Sequence, residues 1–474
     1  PKDFILGEKT VFGVMPDWNP AEIIGIRARP LSLSLYRDLI TDSMWAYQRN
    51  NYGYRNLRSF PLMVNFYGLP YIDVRSSFNS FIPNLLEENL SRKLVNYYIN
   101  KLSEKPILHD KVEFDIVFSC YTLDIDERLK QLKNFGFSSD DLIKISNSLR
   151  NLTNNVLDSK KGLWKTDAQK ISVLTKKREN LLKSSINPIE KIYWLIEDGK
   201  RYGTLPFAGL ARAGFIAVQM LNSLVTTGIF SQEDHDNFLH NITTISSNLL
   251  NDQKKLNKQK FLKKYGHLRP GTYDILSPRY DSMPNNYFNW NTTSKNEENN
   301  IQPFSLTIDQ IKKTENLLKK HKLHISVVDF FDFLKKAIEL RESSKFEFTK
   351  NLSETLEIIA LYAKELKFNL EDISMCNIQI FKELYISTTS PKRAIRKSIK
   401  EGSRIFKKTK YINLPSLILN YTDVWGFKLL DTEPNFITQK QITSNPVDFK
   451  EKNKLSESIV FIPNADPGFD WLFS

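Results

Sequence analysis

Between Tyr265 and Tyr280 the chain crowds His267, Arg269, Tyr273, Asp274 and Arg279 onto one stretch, punctuated by Gly266, Pro270, Gly271 and Pro278. Those glycines and prolines exclude a regular helix or strand and predict a pinned, irregular loop. Two guanidinium groups on such a loop suit an anion, while His267 and Asp274 are candidates for orienting an acceptor or removing its proton. Arg212 is a second candidate. It lies in a run, Ala208–Gly209–Leu210–Ala211–Arg212–Ala213–Gly214–Phe215, that is apolar nearly all round and so predicts burial. A buried guanidinium either holds a structural carboxylate or faces an anionic substrate. Arg341 and Glu342 form the third: they continue the stripe of Val327, Phe331, Leu334 and Ile338 with charge, predicting an ion-pair network or a cleft. Arg75 is the fourth, aligned with Tyr71 and Asp73 if the segment is a strand.

A further block, Gly13–Val14–Met15–Pro16–Asp17–Trp18–Asn19–Pro20, reads as a connector, with Asn19 placed to cap a helix starting at Pro20. Arg27 and Arg29 just beyond it suit a phosphate.

The elements that must position these residues are mostly helices. Helical apolar spacing runs over 85–102, 127–157, 166–182, 188–200, 208–229, 231–250, 307–320, 326–348 and 353–366. Strand candidates are 62–67, 71–74 and 112–118, and 459–463 reads as a buried strand followed by a turn and helix start. The polar, Asn-containing stretch 277–303 predicts a long mobile loop. The expected fold class is mainly α, a large helical domain with small β additions. The apolar segment near the N-terminus and the strand–turn–helix near the C-terminus look like fragments of neighbouring domains, because neither can bury both faces alone.

Composition narrows the function classes. With 41% hydrophobic and 12% aromatic residues in 474, the chain folds; with only 17 glycines it is not built from Gly-rich phosphate loops. The net charge of +13 is dispersed among acidic residues, as in Lys176–Lys177–Arg178–Glu179, which predicts a solvated surface with neither nucleic acid nor a membrane as partner. Cys120 and Cys376 are the only cysteines, with no metal-ligand spacing, and no apolar run of about 18 residues occurs, so a cytoplasmic location is expected. Phosphate-loop, nucleophile-elbow and His-Glu-x-x-His motifs do not occur in the sequence.

Taken together, these blocks resemble the phosphoenolpyruvate synthase/pyruvate phosphate dikinase-like phosphotransferases, closest to the capsule-associated members with L-glutamine kinase activity. Phe12 to Gly25 looks like the exit from an ATP-grasp domain, Arg29–Pro30–Leu31–Ser32–Leu33–Ser34–Leu35 like the connector after it, and 265–279 like the Gly-His…Pro-Gly…Asp…Pro-Arg loop of the central domain. Ile459 to Phe473 is similar to the opening of the swivelling phosphohistidine domain, and none of the six histidines lies in a Ser/Thr-x-His carrier motif. The resemblance implies three parts: residues 1–25 ending an ATP-grasp domain, 26–440 forming the helical acceptor-binding domain, and 441–474 beginning the swivelling domain. It implies ATP and Mg²⁺ as cofactors, bound mainly by the ATP-grasp domain, and a phosphohistidine domain of the same polypeptide as donor. L-glutamine is the favoured acceptor, phosphorylated on its side-chain amide while ATP yields AMP and phosphate. Arg269, Arg279 and Arg341 would clamp the anion, with Tyr273, Glu342, Arg212 and Arg75 also facing the acceptor. A pyruvate/phosphoenolpyruvate synthase-like reaction and a non-catalytic polyanion-binding module are the alternatives.

Overall fold

Scarce glycine and helical apolar spacing are realised in a mainly helical architecture. The computed structural model describes residues 4–158, 160–288, 290, 303–427, 441–451, 454–462 and 467–473. At its centre the Leu205–Thr226 helix packs along the 39-residue Val327–Glu365 helix. The two approach closely because Gly214 carries no side chain: a Cβ there would sit 3.2 Å from the Ala337 carbonyl and from Arg341 Cδ. Leu210, Ala213 and Ala217 interleave with Phe330, Leu334 and Ala337 in the same core. Leu163–Lys183 and Pro188–Asp198 flank this pair.

Where element boundaries differ from the sequence-based expectation, local chemistry explains it. The helix expected over 127–157 is interrupted: Gly136, at φ 78°, ends a 3-10 turn, and the Ser138–Asp141 capping box starts Ser139–Leu157. The 231–250 segment likewise splits into Gln232–His240 and Ile245–Lys255, the second opened by a Thr244–Ser247 capping box. Conversely, 326–348 and 353–366 are one helix, since the residues between them include no helix breaker and Thr349, Asn351 and Leu352 are buried. Residues 112–118 are not a strand. Their alternating pattern is met by a short Val112–Asp115 helix that buries Val112 and leaves Phe114 exposed.

The stretch 188–226 is continuous helix, with Gly199–Thr204 in π geometry between two α segments. By length and composition it is apolar enough to cross a membrane, but 72% of its most apolar window is buried inside the fold. Its apolar character faces the core. A second π segment, Arg37–Thr41, follows the Pro30–Tyr36 helix and packs against the first.

The β addition is a four-stranded antiparallel sheet in the order β2 (Met63–Phe66), β3 (Leu69–Asp73), β1 (Phe12–Gly13), β4 (Leu417–Ile418). Tyr67 and Gly68, both at positive φ, make the two-residue turn between β2 and β3. Through β1 the early segment is stitched to both β3 and β4. β3 stops at Asp73, whose carboxylate caps the Val74–Asn79 helix by accepting from the Ser76 amide. Tyr71, Asp73 and Arg75 therefore do not share one strand face.

A separate parallel pair joins β5 (Pro446–Asp448) to β6 (Ile459–Phe461), and β6 is exposed rather than buried, with Phe461 63% accessible. Part of the turn expected after it, residues 463–466, lies outside the described residues. Of the stretch expected as a mobile loop, 277–288 is anchored: Tyr280, Tyr287 and Phe288 are buried in one aromatic cluster with Trp471. Most of the remainder, 289 and 291–302, lies outside the described residues.

Candidate functional site

The site begins with backbone that side chains rarely adopt. Asp17, Trp18 and Asn19 have consecutive φ values of 54°, 57° and 36°, a left-handed run of three non-glycine residues. Each such residue costs on the order of 1–2 kcal/mol, so the surrounding structure must hold the run in place. It does so with three bonds: Asp17 accepts from Arg49 at 2.9 Å and from the Ser77 hydroxyl at 2.9 Å, and the Tyr36 hydroxyl donates to the Trp18 carbonyl. Asn19 makes no side-chain cap to the helix after it and instead donates to Glu22. The expected cap is replaced by a turn that presents Asp17 and Trp18 to a cleft.

That cleft, of about 370 Å³, is walled by this turn, the Met44–Asn51 helix, the 110–114 segment, the Leu205–Thr226 helix, Thr272–Tyr273 and the middle of the Val327–Glu365 helix. Its floor is the Phe81 ring. Arg49 Cζ stands 4.1 Å and Arg212 Cζ 4.9 Å from the ring centroid. Both guanidinium groups are buried, Arg49 against Asp17 and Arg212 against Glu113. Burial and the neighbouring Arg212 together pull the Arg49 pKa down. For Arg212 burial acts in the same direction, but Glu113 outweighs it and the pKa is raised.

Five cations and four carboxylates line the cleft. Among the described residues, Gln48 Nε2 and Arg212 Nε are buried without a hydrogen-bond partner. Among the described residues the half-buried Lys111 and Lys345 make no ion pair. Buried donors without acceptors each cost about 1–3 kcal/mol. An acceptor-rich ligand would satisfy the two buried donors and pair with the two lysines. Arg341 adds a fifth cation, 5.2 Å from the Phe215 ring and paired with Glu342 at 2.6 Å. Phe207 and Phe348, stacked at 6.1 Å, form the apolar wall.

Of the residues singled out from sequence, Arg212, Tyr273 and Arg341 meet at this cleft, with Glu342 beside Arg341. The rest do other things. Arg269 donates to the Ser277 carbonyl, the Ser353 hydroxyl and Glu357, and Arg279 bridges Asp281 and Glu354. Both arginines bolt the 266–281 loop to the long helix. His267 is buried edge-on against Phe346, 4.7 Å between centroids, and the Ser353 hydroxyl donates to its carbonyl. Burial, with Lys350 and Arg279 nearby, pulls its imidazole well below the usual histidine range. Asp274 closes a turn by accepting from the Leu276 amide and faces a second cavity of about 480 Å³ on the far side of the loop. Arg75 reaches the Gly7 carbonyl, away from the cleft. Arg27 and Arg29 tie their segment to Ile412 and Glu371.

Sequence reasoning missed Arg49, Asp17, Lys111, Glu113 and Lys345. Arg49 carried a readable signal: like Arg212, it falls on a buried helical stripe, with Trp45 one turn before it. Asp17 shows nothing in sequence of its left-handed backbone. No family model matches the chain, and no curated protein matches its sequence.

Proposed function

We propose that the cleft between Asp17, Arg49, Arg212 and Lys345 binds the acceptor of an ATP-dependent phosphotransferase that works through a phosphohistidine carrier. In this reading residues 26–440 form the acceptor domain, 1–25 end an ATP-grasp domain and 441–474 begin the swivelling domain, as the sequence resemblance implies. The observation that carries the acceptor site is the pair of buried, unpartnered donors Gln48 Nε2 and Arg212 Nε beside the half-buried Lys111 and Lys345, around one small cavity. A phosphoryl transfer consists mainly of positioning and charge neutralisation, which is what clustered cations on rigid helices supply.

L-glutamine is the acceptor proposed. Glu22 and Asp110 line the same cleft as the cations, which suits a zwitterion better than a simple anion such as pyruvate, and the stacked Phe207–Phe348 wall suits a methylene chain. The N–P bond of the carrier breaks as a bond from phosphorus to the amide nitrogen forms, and the amide proton ends on the released imidazole or in water. Arg341 and Lys345 neutralise the incoming charge. Asp17 and Glu113 are closed off by guanidinium groups, so they do not fit Mg²⁺, and ATP and Mg²⁺ are assigned to the ATP-grasp domain.

The complete enzyme, given ATP, Mg²⁺ and L-glutamine, should form AMP and a new phosphoramidate resonance by phosphorus NMR. AMP formation indifferent to glutamine would reject that acceptor.

A further inference from the structure

The Pro391–Thr409 helix has a charge distribution unlike the rest of the chain. Its 19 residues include eight lysines and arginines and a single carboxylate, Glu401. At 100° per residue the eight basic side chains between Lys392 and Lys408 fall within roughly 160° of arc, over about 24 Å of helix. All eight are exposed, and the only ion pair within the helix is Lys397–Glu401 at 4.0 Å. The dispersed charge expected from composition is thus segregated here onto one face.

The opposite face is already used. Ile395 is fully buried, and Gly402 lies so close to Met375 that a Cβ would fall 1.9 Å from its carbonyl oxygen. The helix is docked rigidly and cannot roll to insert its apolar side elsewhere. What it offers is a fixed cationic surface, so its partner is polyanionic.

One feature favours a bilayer among polyanions. Exposed apolar side chains occur close by in the chain: Ile386, 83% accessible, ends the preceding helix, Ile405, 44% accessible, lies about 60° beyond the basic arc, and Tyr411, 88% accessible, follows the helix. Aliphatic side chains gain nothing from phosphodiesters, but they enter the headgroup region of a bilayer beside basic residues. We propose that this helix face is a docking surface for an anionic lipid bilayer, held by charge and by shallow insertion of Ile386, Ile405 and Tyr411.

The test is co-flotation of the full chain with phosphatidylcholine vesicles, with and without phosphatidylglycerol, at low and high salt. Binding should require phosphatidylglycerol and fall steeply with salt. The exposed triple variant Arg396→Gln/Lys400→Gln/Arg404→Gln should lose about tenfold or more in affinity. Lys312→Gln/Lys319→Gln/Lys320→Gln, which removes equal charge from the Ile308–Lys320 helix, should lose little. Ile386→Ser/Tyr411→Ser should weaken vesicle binding several-fold. Equal affinity for neutral and anionic vesicles would overturn the proposal, as would equal loss in the two triple variants. Tighter binding to a DNA or RNA oligonucleotide than to anionic vesicles, unaffected by Ile386→Ser/Tyr411→Ser, would assign the face to nucleic acid instead.

Discussion

The two guanidinium groups over Phe81 are each already matched by a carboxylate, and this separates residues that build the cleft from residues available to a proposed ligand. Arg212→Met removes the partner of Glu113 and leaves that carboxylate poorly compensated, so it should destabilise the fold by about 3–5 kcal/mol. Chemical denaturation measures that loss directly. Lys345→Ala removes a half-buried ammonium group that makes no ion pair among the described residues. Stability should change by less than about 0.5 kcal/mol. Affinity for glutamine, by calorimetry, should fall about tenfold, near 1.4 kcal/mol. Comparable stability losses in both variants would show that the cleft is only an ion-pair network. His267 gives a third residue-scale expectation. Its folded pKa is depressed by burial, so as pH falls the unfolded chain takes up the proton first. The stability it contributes is complete above about pH 6.5 and is lost below it. Urea midpoints should drop between pH 7.5 and 5.5, and His267→Asn should flatten that drop by about 1 kcal/mol. His109 and His321 are depressed in the same direction, so the difference between variant and parent is the quantity to read.

Small residues along the Leu205–Thr226 helix set how closely its neighbours approach, and through them the shape of the cleft. A Cβ at Gly209 would lie 2.2 Å from Asp167 Oδ2 and 2.7 Å from the Tyr52 hydroxyl, which donates a buried hydrogen bond to that carboxylate oxygen. Gly209→Ala should therefore cost about 1–3 kcal/mol through overpacking, seen as a lowered melting temperature. Tyr52→Phe with Gly209→Ala should recover part of it, because one of the two crowded atoms is gone. Helical periodicity made these elements legible, and it also exposed Arg212 and Arg341 as charges on apolar stripes. It failed where two periods coincide. Val112–Asp115 alternates like a strand while forming a helical turn, and Glu113, the partner of Arg212, was hidden in it. The 266–281 loop was legible as a dense block of unusual residues, but not in its division of labour. Arg269 and Arg279 reach acceptors on the long helix that are distant in sequence, Ser353, Glu354 and Glu357, which no local pattern reveals.

At the scale of the whole molecule, that loop is a partition with a cavity on each side. Thr272 and Tyr273 face the first cleft, whereas Pro270, Gly271 and Asp274 face the second cavity, whose other wall is Phe449, Phe469 and Trp471 from the C-terminal segment. Contact between loop and segment is direct: the Tyr280 hydroxyl donates to the Gly468 carbonyl at 2.7 Å, and a Cβ at Gly468 would lie 1.8 Å from the Arg269 carbonyl oxygen. Backbone cannot yield by that much without separating the two. Gly468→Ala should thus lift the Pro467–Phe473 turn from the loop while leaving the helical core intact. Hydrogen exchange should rise over 267–281 and 467–473 and stay at parental rates in the Leu205–Thr226 helix. Gly426→Ala, where an added Cβ meets nothing within 4 Å, is the matched control and should change neither. If docking on one side of the loop sets the position of Thr272 and Tyr273 on the other, glutamine affinity should fall in Gly468→Ala with no ligand-contacting residue altered. Raised exchange with unchanged affinity would show that the loop is held by Arg269 and Arg279 alone, and that the two cavities are independent.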